Sequence, residues 1–352
     1  MKIIYDNIIF ALQNTGGISV VWHELINWIG KNKNYKITIV DYVGTNRNIF
    51  SNMDFKPYYI LKRKIGFLAF NRFFNISLKE KEPFIFHSSI YRTSNNSNAY
   101  NVVTVHDFIY EKYRKGLALW LHHWRKRKSL NKAKVIICIS ENTKKDMLKY
   151  FPKIASKEIK VVYNGVSNEY YQLKTTPYKN FYNSLLFIGK RDGYKNFHKA
   201  VELISSSKFE LIIVGGPLNN KEKIFLEKFL PNRYQIKTHI DNQELNKIYN
   251  SVYALIYPSE YEGFGIPILE AQKSGCPVIA LNTSSITEII GNDYPTMKAF
   301  NEVELKRIIN SINEERQQIV NKGIANSKKF SWQKMAKEYD QIYQEILNKH
   351  IL

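Results

Sequence analysis

Apolar and polar positions alternate along this chain in two successive series of strand-like and helix-like segments. Residues 2–10 open with an apolar run that reads as a first strand, and N-T-G-G-I-S follows it. V-V-W-H-E-L-I-N-W-I then places its apolar side chains on one helical face. Y-K-I-T-I-V-D-Y, P-F-I-F-H-S-S and N-V-V-T-V-H-D-F predict three more strands, the last ending at His106–Asp107. K-V-I-I-C-I-S predicts a strand running into a helix capped near Ser140 or Asn142, and I-K-V-V-Y-N-G-V a strand and Gly turn. The polar, Pro-containing stretch S-N-E-Y-Y-Q-L-K-T-T-P-Y-K-N-F-Y-N-S has neither period and reads as a linker.

The alternation then restarts with S-L-L-F-I-G, the basic loop K-R-D-G-Y-K-N-F and the helix H-K-A-V-E-L-I. F-E-L-I-I-V-G-G, Y-Q-I-K-T-H-I and V-Y-A-L-I-Y predict strands separated by helices, and P-V-I-A-L-N one more. A helix is expected over 302–313, and F-S-W-Q-K-M-A-K-E-Y-D-Q-I-Y-Q-E-I-L closes the sequence as a long amphipathic helix. Strands alternating with helices in both halves predict an α/β protein of two parallel, doubly wound domains. Their expected extents are residues 1–174 and 183–329, with 330–352 as the closing helix.

Composition sharpens this picture. At 352 residues with 44% hydrophobic content, two cores are expected and wholesale disorder is excluded. Lys and Arg number 52 against 31 Asp and Glu, a net charge of +21 that points to anionic surfaces or substrates. Two stretches mix this charge with aromatic residues: 57–81, containing Y-Y-I-L-K-R-K-I-G-F-L-A-F, and 113–134, containing W-L-H-H-W-R-K-R-K. Each reads as a helix with a basic face, either solvated or lying on an anionic membrane. Nucleic acid would match the charge, but no recognisable nucleic-acid module is present, and none is expected as a partner. Cys138 and Cys276 lie in or beside apolar runs, which predicts buried free thiols in a reducing compartment. No Cys and His spacing suggests a metal site. The opening residues lack the apolar core of a signal peptide, and no run approaches the length of a membrane-spanning helix.

The stretch with the most chemistry is Tyr257–Glu270, Y-P-S-E-Y-E-G-F-G-I-P-I-L-E. It predicts a strand, a tight loop through Gly263 and Gly265, and a helix whose first amides point at whatever lies above them. Glu270 falls about one turn into that helix, where a carboxylate can accept from both hydroxyls of a diol. This pattern suits a phosphorylated, polyhydroxylated ligand. Taken singly it also fits an ordinary strand-to-helix connection with surface glutamates.

Taken in order, N-T-G-G-I-S, T-V-H-D-F, I-S-E-N-T-K-K-D-M, V-V-Y-N-G-V, F-I-G-K-R-D-G-Y-K-N-F, I-I-V-G-G, E-G-F-G-I-P-I-L-E-A and the closing F-S-W span nearly the whole chain. The sequence resembles the retaining glycosyltransferases of family 4. The resemblance implies the GT-B fold of two facing Rossmann-like domains, with the closing helix packing back toward the first. It implies that Arg191 and Lys195 bind the donor diphosphate, that Glu270 holds the ribose hydroxyls, and that Glu262 lies near the hydroxyls of the transferred sugar. Gly263, Phe264, Gly265 and Ile266 would meet the sugar or phosphates through their backbone, and Gly16 and Gly17 would touch the diphosphate from the first domain. His106 would stand near the anomeric centre, with Asp107 orienting the imidazole or facing the acceptor. His239 and Ile240 would contact the base. The part of Glu260 is left open.

The implied reaction is transfer from a nucleotide diphosphate sugar with retention, by same-face displacement through an oxocarbenium-like transition state and without a metal or other cofactor. GDP-mannose is the preferred donor, with UDP-hexoses or UDP-N-acetylhexosamines as alternatives. A glycan or lipid-linked glycan acceptor is expected at the inner face of the cytoplasmic membrane, in surface-polysaccharide or glycoconjugate assembly. Two readings of other classes compete: a nucleotide-sugar epimerase on the same fold, and a non-enzymatic basic module that binds membrane or nucleic acid.

Overall fold

The β-branched and aromatic runs pair into two all-parallel sheets, each belonging to a separate packing unit. The computed structural model describes residues 2–31, 34–43, 48–50, 58–64, 72–191 and 193–350. The first unit contains β1 (Lys2–Asp6), β2 (Lys36–Val43), β3 (Tyr59–Lys64), β4 (Phe84–Ser88), β5 (Ala99–Val105), β6 (Val135–Cys138) and β7 (Glu158–Val161). Their order across the sheet is β3-β2-β1-β4-β5-β6-β7. The chain therefore winds one way from β1 and the other way from β4, which makes the β1/β4 boundary the topological switch point.

The second unit contains β8 (Ser184–Ile188), β9 (Glu210–Val214), β10 (Tyr234–Lys237), β11 (Ala254–Tyr257) and β12 (Val278–Ala280), ordered β10-β9-β8-β11-β12. Its switch point lies between β8 and β11, whose registers pair Ala254 with Leu185 and Leu255 with Leu186. All residues of β11 and β12 are buried, as expected for strands covered on both faces.

Residues up to Gly165 form the first unit together with the helix Trp332–His350, so the closing helix does pack on the earlier half. Tyr339 and Tyr343 are buried. The Tyr343 hydroxyl meets His87 Nδ1 at 2.7 Å, His87 Nε2 lies 2.9 Å from Thr104 Oγ1, and Tyr339 bonds that same Thr104 oxygen at 3.1 Å. These bonds satisfy four otherwise costly polar side chains in an aromatic core.

Several expected boundaries move. The strand read over 2–10 stops at Asp6, and Ile8–Leu12 is a short helix. The turn between them is fixed by burial of Asp6 and Asn7: Asp6 accepts from Tyr42, Ser88 and Arg92, and Asn7 Oδ1 accepts from the Trp22 indole at 2.8 Å. In the basic-aromatic stretch 57–81, residues 59–64 form strand β3 rather than a helix, while 57 and 65–71 lie outside the described residues.

The stretch read as a linker packs with the second unit. Tyr171 N, Leu173 N and Tyr178 N donate to Asn246 Oδ1, Asn250 Oδ1 and Ser251 Oγ at 2.8–3.1 Å. By packing, the division falls after Gly165. The helix expected over 302–313 continues to Ser327, with a non-helical residue at Glu315. Both cysteines are free and buried, and no helix among the described residues is long and apolar enough to cross a membrane.

Candidate functional site

In parallel sheets, ligand-binding groups collect on the loops at the carboxyl ends of strands beside a switch point. In the second unit these are the loops after β8 and β11. The β8 loop leaves through Gly189, whose φ of +121° only glycine adopts without strain, and carries Arg191 and Lys195. The β11 loop carries Glu260 and Glu262. It ends at Gly265, φ +112°, which caps the helix Ile266–Lys273.

These loops are tied together. Glu260 N donates to the Tyr194 carbonyl at 2.9 Å. Asn196, in a left-handed conformation at φ +52°, donates through its amide to the Pro258 carbonyl at 3.1 Å and to Glu260 at 3.0 Å. Lys199 adds an ion pair to Glu260 at 3.2 Å. Glu260 is thus a clasp between the two loops.

That clasp brings Lys195 and Glu262 into direct contact as a hydrogen-bonded ion pair. The Lys195 ammonium also lies 3.4 Å from the Tyr257 hydroxyl and 5.1 Å from the centre of its ring. Both partners are largely shielded from solvent, where such a pair is stronger than at the surface. Glu262 is further fixed through its backbone. Its N–H donates to Ser284 Oγ at 3.0 Å, while Ser285 Oγ donates to the carbonyls of Glu262 and Phe264, both at 2.9 Å. Gly263 and Phe264 are buried between these anchors, and Phe264 meets Phe330 edge to face.

Arg191 faces elsewhere. Its Nε and Nη2 grip Glu222 at 2.8 and 3.1 Å, Nη1 donates to Gly216 O at 2.9 Å, and Nη2 to Pro217 O at 2.8 Å. Four of the five guanidinium N–H groups are therefore engaged with the loop after β9 and the helix that follows it. Glu222, also the capping-box residue of that helix, is held below the usual carboxylate range by these bonds.

Glu270 lies beyond the first turn of the Ile266–Lys273 helix and accepts from the Tyr249 hydroxyl at 3.1 Å. Burial pushes its carboxyl up to about 7 against the opposing hydrogen bonds of Tyr249 and Tyr170. Ile266 is the first residue of the helix. His239 and Ile240 sit on the turn after β10 at the same sheet edge, with His239 exposed at φ +54°.

In the first unit, Gly16 caps the helix Gly17–Ile29 and accepts from Ser19 Oγ at 2.8 Å. The Ile8–Leu12 helix separates this turn from β1. His106 directly follows the last residue of β5 and is buried. Burial first, and the Lys126 charge second, lower its imidazole to about 4, while a bond with the Ser89 backbone opposes them. Asp107 Oδ1 accepts at 3.1 Å from the N–H of Ile109, the first residue of the short helix Ile109–Tyr113; burial raises the Asp107 pKa.

Sequence reasoning missed Ser284, Ser285, Tyr257, Glu222 and Lys126. The polar run over 282–285, a few residues after the strand, was an available signal, since hydroxyls in such loops often bond neighbouring backbone. Partners such as Glu222 and Tyr257 emerge only once the strands are ordered.

Residues 15–170 match the family described as Glycosyltransferase Family 4, and residues 172–330 match Glycosyl transferases group 1. An O-antigen chain mannosyltransferase of Salmonella typhimurium is 29% identical over 169 residues, 47% of this chain and 46% of that protein. O-antigen chain mannosyltransferase B of Escherichia coli is 34% identical over 99 residues, 27% of this chain and 26% of that one. The matched stretches thus span less than half of either relative. Among solved structures, a sucrose-phosphate synthase from Thermosynechococcus elongatus aligns with a TM-score of 0.79 at 15% identity, covering 99% of this chain and 100% of that one, a likeness of fold. With two parallel-sheet units of the GT-B class and consecutive family matches across nearly its whole length, the chain belongs to the glycosyltransferases of family 4.

Proposed function

We propose that the chain moves mannose from GDP-mannose to a glycan or lipid-linked glycan acceptor in surface-polysaccharide or glycoconjugate assembly, with retention at the anomeric carbon. The observation that supports this best is the meeting of Lys195 and Glu262 at the β8/β11 switch point, beside a helix N-terminus opened by Gly265. A cation fixed there offers its charge to the leaving diphosphate, and the carboxylate beside it can accept from sugar hydroxyls. Glu270 on the same helix supplies the acceptor for the ribose diol. Mannose is favoured because both relatives described above are O-antigen chain mannosyltransferases.

In this reading the bond from the anomeric carbon to the β-phosphate oxygen breaks, and the acceptor oxygen bonds the same face of that carbon. The acceptor proton passes to the departing phosphate, giving a glycoside and GDP. Lys195 and the helix dipole carry the developing negative charge. Arg191 contributes through the guanidinium that Glu222 orients, Glu262 and His106 position the sugar, and the backbone of Gly16–Gly17 and Gly263–Ile266 meets the phosphates. His239 and Ile240 contact the base, and Asp107 faces the acceptor side.

The test is acceptor-dependent release of nucleoside diphosphate, measured in EDTA with GDP- and UDP-sugars offered singly. GDP release is expected, and Lys195→Ala is expected to lower kcat by roughly a hundredfold or more. Near-normal transfer by Lys195→Ala would sink the assignment. UDP release would move it to the UDP-hexose or UDP-N-acetylhexosamine alternative, and sugar conversion without an acceptor to an epimerase.

The helix Gly116–Lys132 supports a second part of the proposal, docking on an anionic membrane surface. Leu117, Trp120 and Trp124 lie on one helical face and are 71%, 61% and 40% exposed, an apolar strip that water does not favour. Lys128 lies 5.0 Å over the Trp124 ring, pairing the strip with positive charge suited to anionic headgroups.

A further inference from the structure

The opposite face of the Gly116–Lys132 helix carries an unusual group. The Lys126 side chain is completely buried, and its ammonium donates to the Asp107 carbonyl and to Glu111 Oε2, both at 2.9 Å. It stands 4.0 Å from the centre of the Phe108 ring and 5.0 Å from that of Tyr91. A buried ion pair rarely stabilises a fold better than apolar side chains of the same shape would. The location of this one suggests a different use. It lies directly beneath the turn that leaves β5 with His106 and Asp107.

Every group around that turn holds it in place. Lys126 fixes the Asp107 carbonyl, Ile109 N fixes its carboxylate, the Tyr91 hydroxyl bonds the His106 backbone, and the Ser89 backbone bonds the His106 ring. Glu111, which neutralises Lys126, also lies 3.6 Å from His122 Nδ1 and is held down to about 2 despite its burial. We propose that Lys126 is a positioning residue for sugar transfer: its ammonium, held by Glu111 and bonded to the Asp107 carbonyl, pins the His106–Asp107 turn from the helix side. This rests on the reading of the chain as a glycosyltransferase in which His106 meets the transferred sugar.

The chemistry gives the arrangement a purpose. An oxocarbenium-like centre gains positive charge as the donor bond breaks, and a neutral imidazole can bond a sugar hydroxyl without opposing that charge. The groups that act on the ring are His87 on β4, the Ser89 backbone and, from the helix, Lys126. Of these, Lys126 both brings a cation near the ring and holds the turn through the Asp107 carbonyl. Glu111 keeps that cation from being stranded in the core.

Because Lys126→Met alone strands Glu111, the test is the double variant Lys126→Met with Glu111→Gln. Wild type, His106→Ala and the double variant are compared by thermal melting, GDP binding and kcat/KM across pH. The double variant is expected to fold and bind GDP within about twofold of wild type, because both residues lie in the first unit. Its kcat is expected to fall roughly tenfold, and the acid limb of its pH profile to move upward as the nearby cation is lost. A folded double variant with wild-type kcat and an unmoved limb overturns the proposal. Histidine NMR titration needs no substrate and separates this failure from that of the functional reading. The His106 ring is expected to titrate higher in the double variant, and an unchanged titration overturns the proposal even in an active enzyme.

Discussion

Glu262 and Glu270 lie eight positions apart in the sequence and sit in opposite electrostatic settings. Glu262 is paired with Lys195, whereas Glu270 accepts from tyrosine hydroxyls and is pushed by burial up to about 7 from an ordinary value near 4.5. Between these two pH values the unfolded chain has released the proton and the folded chain retains it. The native state then binds more protons, so this group's contribution to stability falls as pH rises through the window, by about 3 kcal/mol at most. Glu270→Gln is therefore expected to raise the melting temperature at pH 8 by roughly 3–8 °C and leave it unchanged at pH 4.5. The same variant is expected to weaken GDP binding. Equal melting shifts at both pH values would refute the electrostatic account, and unimpaired GDP binding would refute the ribose role. At this scale, legibility follows chemistry. The two glutamates, both glycines and His106 could be read because strand ends and Gly loops mark them. Lys126 could not, since within W-R-K-R-K-S nothing separates the buried Lys126 from the exposed Arg127 beside it.

Among elements, the Gly116–Lys132 helix is unusual in having functional proposals on opposite faces. Its outward strip of Leu117, Trp120 and Trp124 predicts binding to vesicles containing anionic lipid and little binding to neutral ones. Trp120→Ala with Trp124→Ala is expected to reduce sedimentation with anionic vesicles at least fivefold while leaving GDP affinity intact. Equal binding to neutral and anionic vesicles would remove the electrostatic part of the reading, and no effect of the double substitution would remove this helix. The other basic-aromatic stretch shows why composition alone misleads. Residues 59–64 form β3, which pairs only with β2 in the described sheet. Basic residues on an edge strand deter further pairing, so the charge that suggested a helix face serves a sheet edge. The strands themselves were legible because a parallel sheet covered on both sides writes continuous apolar runs. The first strand was overextended because the buried Asp6–Asn7 turn hides inside such a run.

For the whole molecule, the two units differ in their response to acid. His23, His87 and His106, all in the first unit, are lowered by burial to about 4, 3 and 4 from an ordinary 6.5. Below pH 6.5 the unfolded chain takes up protons that these buried rings refuse, so stability rises with pH across the window and is lost as pH falls. At pH 5 each ring costs about 2 kcal/mol. Glu270 acts in the opposite direction on the second unit. Calorimetry is expected to show two transitions, with that of the first unit falling more steeply between pH 7 and pH 5. Hydrogen exchange in β4 and β5 should rise first, and a single transition with no dependence on acid would contradict the assignment.

The return of the Trp332–His350 helix to the first sheet has a consequence for synthesis. The strands from β1 to β7 leave the ribosome long before the helix whose Tyr343 bonds His87. The second unit is continuous in sequence and can fold as it emerges, whereas the first must close its core across the entire intervening unit. Until then the aromatic surface around His87 stands uncovered. The second unit can thus complete its core before the first, and translation must pass the Trp332–His350 helix before His106 and its supporting turn belong to a finished core.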